Sequence, residues 1–117
     1  MKKNTTRIIR INDEIARAAA NIIRFEMSDP RIGTVVSVTG ADTTPDLKFC
    51  KVSVSILDDK AAETMDALKN AAGFIRKRIA ETVDLRNTPE ITFVLDESIA
   101  HAMRMNKLID EVIRNDS

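Results

Sequence analysis

The sequence predicts an α+β fold, and three observations predict it. Apolar residues recur at helical spacing over 5–27 and again over 60–83. Between those stretches, two runs rich in Val, Thr and Ser flank a turn signal. After Pro89 a third alternating run leads into a last helical pattern. The resulting order is α-β-β-α(kink)α-β-α, a three-stranded sheet with helices packed on it. At 117 residues the chain is expected to form a single domain over 1–117, with residues 1–4 and 115–117 fraying.

The first helix rests on Ile8, Ile11, Ile15, Ala19, Ile22 and Phe25, spaced by threes and fours into one stripe. Pro30 stops it, because the residue before a proline is pushed out of the helical region. Its length is roughly 35 Å at 1.5 Å per residue. The runs "GTVVSVTGADT" and "LKFCKVSVSIL" then read as strands joined at Thr44-Pro45-Asp46. In the second, Cys50, Val52, Val54 and Ile56 share one face and Lys51, Ser53 and Ser55 the other, so Cys50 reads as a packed, inert thiol. Asp58 and Asp59 open the helical stretch to 83. "EITFVLD" reads as a third strand with Ile91, Phe93 and Leu95 inward. A final helix over 98–114 carries Ile99, Ala102, Met103, Ile109, Val112 and Ile113 as its apolar positions. The long crossover between the second and third strands permits parallel pairing.

Composition excludes several classes. An apolar content of 44% with 31% charged residues is that of a folded soluble chain. No apolar run reaches the roughly 20 residues that cross a bilayer, and "MKKNTTRIIRIND" lacks a secretory h-region. A lone cysteine makes an internal disulfide impossible, and the expected compartment is the cytoplasm. With little apolar surface left over, the chain is expected to be a monomer. The formal charge of zero hides a pattern. Residues 1–31 carry +3, 32–68 carry −3, 69–89 carry +3 and 90–117 carry −3. If the positive blocks share a face, that face suits phosphate while the rest repels it; such swings are also common in small domains.

The stretch "DALKNAAGFIRKRIAETV" poses the sharpest question. Met65, Leu68, Ala72, Ile75, Ile79 and Val83 keep one apolar stripe straight across Gly73, although glycine inside a helix costs about 1 kcal/mol relative to alanine. Phe74 projects away from that stripe. A break at Ala71-Ala72-Gly73 is expected to separate two helices and to turn Phe74 inward. Lys69 lies one turn before Gly73, and Arg76 and Lys77 one turn after it. Two readings stand: a phosphate contact made by cations around a bare backbone, or a glycine needed for close packing beside solvated side chains.

In the first helix Lys3, Arg10, Arg17 and Arg24 repeat every seven residues opposite the apolar stripe. Asp13 and Glu14 stand among them and can pair with Arg10 or Arg17, so a salt-bridged solvent face and a phosphate-facing stripe both fit. No metal constellation, activated nucleophile or glycine-rich phosphate loop is present, so an enzyme is not expected. His101, the only histidine, falls near the start of the last helix on the surface, with Asp96 and Ser98 capping that helix. Aromatic residues are scarce, four Phe with no Trp or Tyr, which argues for recognition by charge and shape rather than by stacking. A DNA-binding regulator using the kinked helix pair and a protein-interaction module are the alternatives. Against the first, no set of base-reading side chains stands at a helix N-terminus.

Four segments, in order and with matching intervals, resemble the ribosome-binding factor A family of bacterial small-subunit assembly factors. They are Asp29-Pro30-Arg31, Asp46-Leu47, Ala71-Ala72-Gly73 running into Phe74-Ile75-Arg76, and Pro89-Glu90 leading to Asp96. The resemblance covers about residues 5–113. It implies a type II KH-like domain in which the usual GXXG clamp between two helices is replaced by an Ala-x-Gly kink, here Ala71 and Gly73, with Ala72 between them. It further implies a non-enzymatic protein that binds free 30S subunits and 16S rRNA late in maturation. Such a protein supports 16S 5′-end processing and cold adaptation, and meets other small-subunit assembly factors as partners. No cofactor, metal, membrane or small-molecule substrate is expected. The positions expected to contact RNA are Lys3, Arg10, Arg17, Lys69, Arg76, Lys77, Arg78 and Arg86, with Gly73 shaping the contact.

Overall fold

The computed structural model describes residues 2–27, 32, 36–57, 60–98 and 101–106, with side chains from Thr6 onward. Helix α1 spans Lys2–Phe25, strands β1 and β2 span Val36–Thr43 and Phe49–Ile56, helices α2 and α3 span Ala61–Asn70 and Ala72–Thr82, and strand β3 spans Glu90–Leu95. Residues 101–106 are helical and belong to α4. The expected order therefore holds, with α1 beginning three residues earlier and ending two residues sooner than its periodicity suggested.

The sheet order is β1-β2-β3, with β1 and β2 antiparallel and β2 and β3 parallel. The hairpin between β1 and β2 closes through Leu47 N–H donating to Thr44 O at 2.8 Å and Thr44 N–H donating to Phe49 O at 2.8 Å. Asp46 Oδ1 accepts from Thr44 Oγ1 at 2.6 Å and from Lys48 N–H at 3.1 Å, an Asx-type turn after the proline. These two bonds hold the Asp46 carboxyl below the usual carboxylate range. Leu47 adopts φ 62°, and it is the one non-glycine residue with positive φ among the described residues. In β1 a bulge between Val38 and Gly40 shifts the register, so Val36, Val38, Ala41 and Thr43 all oppose inward residues of β2.

Helices α1, α2 and α3 pack on one face of the sheet, α1 over β1 and α2 with α3 over β3. The inward row of β2, Cys50, Val52, Val54 and Ile56, meets Ile91 and Phe93 of β3 and the α1 residues Ile11, Ile15, Ala18, Ala19, Ile22 and Ile23. Cys50 is buried in that row, and desolvation pushes its thiol up, which is the inert state its position implied. Asn12 Oδ1 accepts the Thr43 N–H at 2.8 Å, fixing α1 against the edge strand. Ladder bonds from Glu90 N–H to Lys48 O and from Asp96 N–H to Val54 O bracket the parallel pair.

Four expected core positions are wet. Phe25 is 71% exposed: it is the last helical residue, Met27 beyond it packs on the core instead, and the Arg24 guanidinium lies over its ring at 5.2 Å. Leu95 is the last residue of β3 and is exposed, past the buried pair Ile91 and Phe93. Ala102 and Met103 are exposed, as are all of 101–106, so this part of α4 makes no core face. Ile99, Ile109, Val112 and Ile113 lie outside the described residues, as do Asp58, Asp59 and Pro30. The cap of α4 is as expected: Asp96 Oδ1 accepts from Ser98 N–H at 3.0 Å and from Ser98 Oγ at 2.6 Å. His101 is exposed in the first turn that follows.

Candidate nucleic-acid interface

The helix break falls at one residue. Ala71 caps α2 and opens α3 with φ −90° and ψ 0°, and no side chain caps the start of α3. Its N–H donates to both Ala67 O at 3.0 Å and Leu68 O at 3.1 Å, while its carbonyl accepts from Ile75 N–H at 2.9 Å. The backbone is therefore interrupted while the azimuth of successive residues is kept. That is why Met65, Leu68, Ile75, Ile79 and Val83 are all buried on both sides of the joint and Ala72 is half-buried.

Phase continuity also overturns one expectation. Phe74 does not turn inward; it stays on the outer face of the joint, 46% exposed. The close-packing account of Gly73 fails as well. Gly73 is exposed, its φ is not positive, and a Cβ built there meets nothing within 4 Å. Its bareness serves no contact of the fold. Lys69, Asn70 and Lys77 are exposed on the same stretch, and no acidic residue occurs from Ala67 to Ala80.

The three consecutive cations after the joint have different positions. Arg76 reaches across to the linker before β3, donating from its Nε to Pro89 O at 3.2 Å and from a terminal nitrogen to Thr88 O at 2.9 Å. Arg78 donates to Glu26 at 2.7 Å and also pairs with Glu81, one helical turn on. Those carboxylates raise its pKa further, Glu26 first, so its charge is shared within the fold. Lys77, between them, has no ion pair among the described residues, and neither do Lys69 or the exposed Arg86.

The α1 cations form a second group. Arg7, Arg10 and Arg17 line a cleft of about 810 Å³ with Glu14, Asn21 and residues 82–85. The Arg78–Glu26 pair at one end and this cleft at the other set α3 antiparallel to α1. Arg17 pairs with Asp13 at 3.2 Å, four residues back, with both side chains largely exposed, a geometry that neutralises little. The backbone of Lys3 is in α1, and its side chain lies outside the described set. The structure thus brings Arg10 and Arg17 together in one cleft and Lys69, Gly73 and Lys77 together at the joint. Sequence reasoning missed Arg7, although it lies three residues before Arg10 and four after Lys3 on one helical face. It also missed the outward Phe74.

Among the described residues no cluster of three or more His, Cys, Asp or Glu is placed to hold a metal ion, and no helix is long and apolar enough to cross a membrane.

Comparison with known proteins fits this architecture. The family model for ribosome-binding factor A matches residues 7–109. A ribosome-binding factor A from Lachnospira eligens is 48% identical over 100% of this chain and 92% of its own length. One from Clostridium novyi is 47% identical over 95% and 96%. The crystal structure of ribosome-binding factor A from Thermus thermophilus superposes with a TM-score of 0.71 over 78% of this chain and 97% of that one, at 21% identity. A homology model of the Thermus thermophilus protein, fitted into a cryo-EM map of a 30S complex, gives a TM-score of 0.60 at 23% identity, over 74% and 91%. The last two are likenesses of fold, and the shared fold is the type II KH-like one. With the family model spanning most of its length and relatives near half identity along it, the chain belongs to the ribosome-binding factor A family.

Proposed function

We propose that this chain is a non-catalytic assembly factor that docks on free 30S subunits by contacting 16S rRNA. The observation that carries the reading is the stretch from Ala67 to Ala80 across the α2–α3 joint, which contains no acid and in which the exposed Lys69 and Lys77 flank the bare Gly73 backbone. A folded RNA presents phosphates at close spacing, and cations without internal partners attract them while a residue lacking a side chain lets the chains approach. Arg86, and Arg10 with Arg17 in the α1 cleft, extend the contact to a second strand or helix. Arg76 and Arg78 shape the surface from within and contribute field rather than direct contacts. Membership of a family named for ribosome binding supports this assignment, as does the use of a Thermus thermophilus relative in interpreting a 30S complex.

On this reading the protein acts as a single KH-like unit, a cytoplasmic monomer without cofactor, metal or small-molecule substrate. It supports late maturation, including processing of the 16S 5′ end and growth in the cold, alongside other small-subunit factors. Sedimentation with purified ribosomal particles tests the core of it: the protein should travel with free 30S subunits and not with 50S subunits. Equal association with both particles, or with neither, would refute the assignment.

A further inference from the structure

We infer that Phe74 is a stacking platform for an unstacked nucleobase of the bound RNA, an inference that rests on the rRNA-docking reading above. The chain has four phenylalanines and neither tryptophan nor tyrosine, and its one histidine, His101, follows the acidic pair Asp96 and Glu97, so these four are the candidate apolar rings. Phe93 is in the core at 2% exposure. Phe25 is 71% exposed, but one face of its ring lies under the Arg24 guanidinium and the acidic Glu26 follows it directly. Phe49 opposes Glu90 across the parallel pair, beside the Asp46 turn, where a phosphate chain is repelled.

Phe74 differs from all three. It is 46% exposed on a stretch of fourteen residues, Ala67 to Ala80, without an acid. Lys77 lies three residues beyond it, and Lys69 is in the last turn of α2. Gly73 beside it leaves open space where any other residue would project a side chain. The fold does not need the ring there: the apolar stripe is complete without it, in Leu68, Ile75 and Ile79. A flat apolar ring with a cation before it and one after it along the chain, neither ion-paired among the described residues, fits a nucleotide, whose base is apolar on its faces and whose two flanking phosphates are anionic. An apolar pocket of a protein partner would satisfy the ring but leave both ammonium groups without an anion, so RNA is the favoured occupant.

The test compares Phe74→Ala, Phe74→Leu and Phe74→Trp in the full chain for affinity to 30S subunits across a salt series. A lost stack weakens binding about 5- to 100-fold. Ala and Leu should both show that loss, with the slope of log affinity against log salt unchanged because no phosphate contact is removed. Trp should bind at least as tightly as the parent. A photo-crosslinking p-azidophenylalanine at position 74 should label 16S rRNA. If Leu binds like the parent, or if the crosslink goes to a ribosomal protein, the stacking assignment is overturned while rRNA docking stands. If the parent protein does not bind 30S subunits at all, the docking reading itself is what fails.

Discussion

Gly73 weakens its helix and meets no steric need of the fold. A glycine in a helix costs about 0.5–1 kcal/mol relative to alanine, and at this position the added methyl group meets nothing within 4 Å. Gly73→Ala should therefore stabilise the isolated protein by about 0.4–1 kcal/mol in denaturant unfolding. The same variant should bind 30S subunits more weakly, because the methyl stands where RNA backbone approaches; a stabilised variant with undiminished binding would remove Gly73 from the interface. Its anomalous place was readable in the sequence from the stripe alone. The direction of Phe74 was not, because a break at glycine suggests a change of phase, and only the conformation of Ala71, φ −90° and ψ 0°, shows that the phase is kept.

Between elements, side chains that look alike in sequence have different tasks. Arg76 and Lys77 are adjacent cations, but Arg76 holds the carbonyls of Thr88 and Pro89 and so fixes the linker that feeds β3 into the parallel pair. Charge-assisted bonds of this kind contribute about 1.5–3 kcal/mol when buried and less near solvent, so Arg76→Met should lower stability by about 1–2 kcal/mol. Chemical denaturation measures this, and a change below a few tenths would show that the linker holds itself. No local pattern distinguishes the two residues, because the carbonyls that select Arg76 are more than ten positions away. The strands, by contrast, were legible: alternation assigned the inward residues of β2 and, up to Phe93, of β3, while the bulge in β1 left no local signature beyond Gly40. Asp96 begins α4 and its carboxyl is held low, first by the Ser98 hydroxyl and amide and then by Thr39. A depressed carboxylate contributes stability that is present above its unfolded pKa and lost as pH falls through the folded one. Asp96→Asn should accordingly be less stable than the parent at pH 7, with the gap closing as pH drops below about 4. Unfolding midpoints at pH 7, 5 and 3 follow it; a gap constant with pH would mean that ionisation at Asp96 is irrelevant to the cap.

Over the whole molecule, a net charge of zero conceals segregation. The alternating blocks of +3 and −3 were visible in sequence, but which cations are internally satisfied is set by packing of α3 against the end of α1, where Glu26 takes Arg78. After that packing, Lys69 and Lys77 at the joint have no ion pair among the described residues, and Arg7, Arg10 and Arg17 lie in a cleft along a helix about 36 Å long. The most direct measurement of the account is the salt dependence of 30S affinity for the parent and for a Lys69→Gln, Lys77→Gln double variant. Removing two phosphate contacts should weaken binding at moderate salt and reduce the slope of log affinity against log salt by about 1.4–1.8. An unchanged affinity and slope, in a variant that folds normally, would contradict docking through the α2–α3 joint.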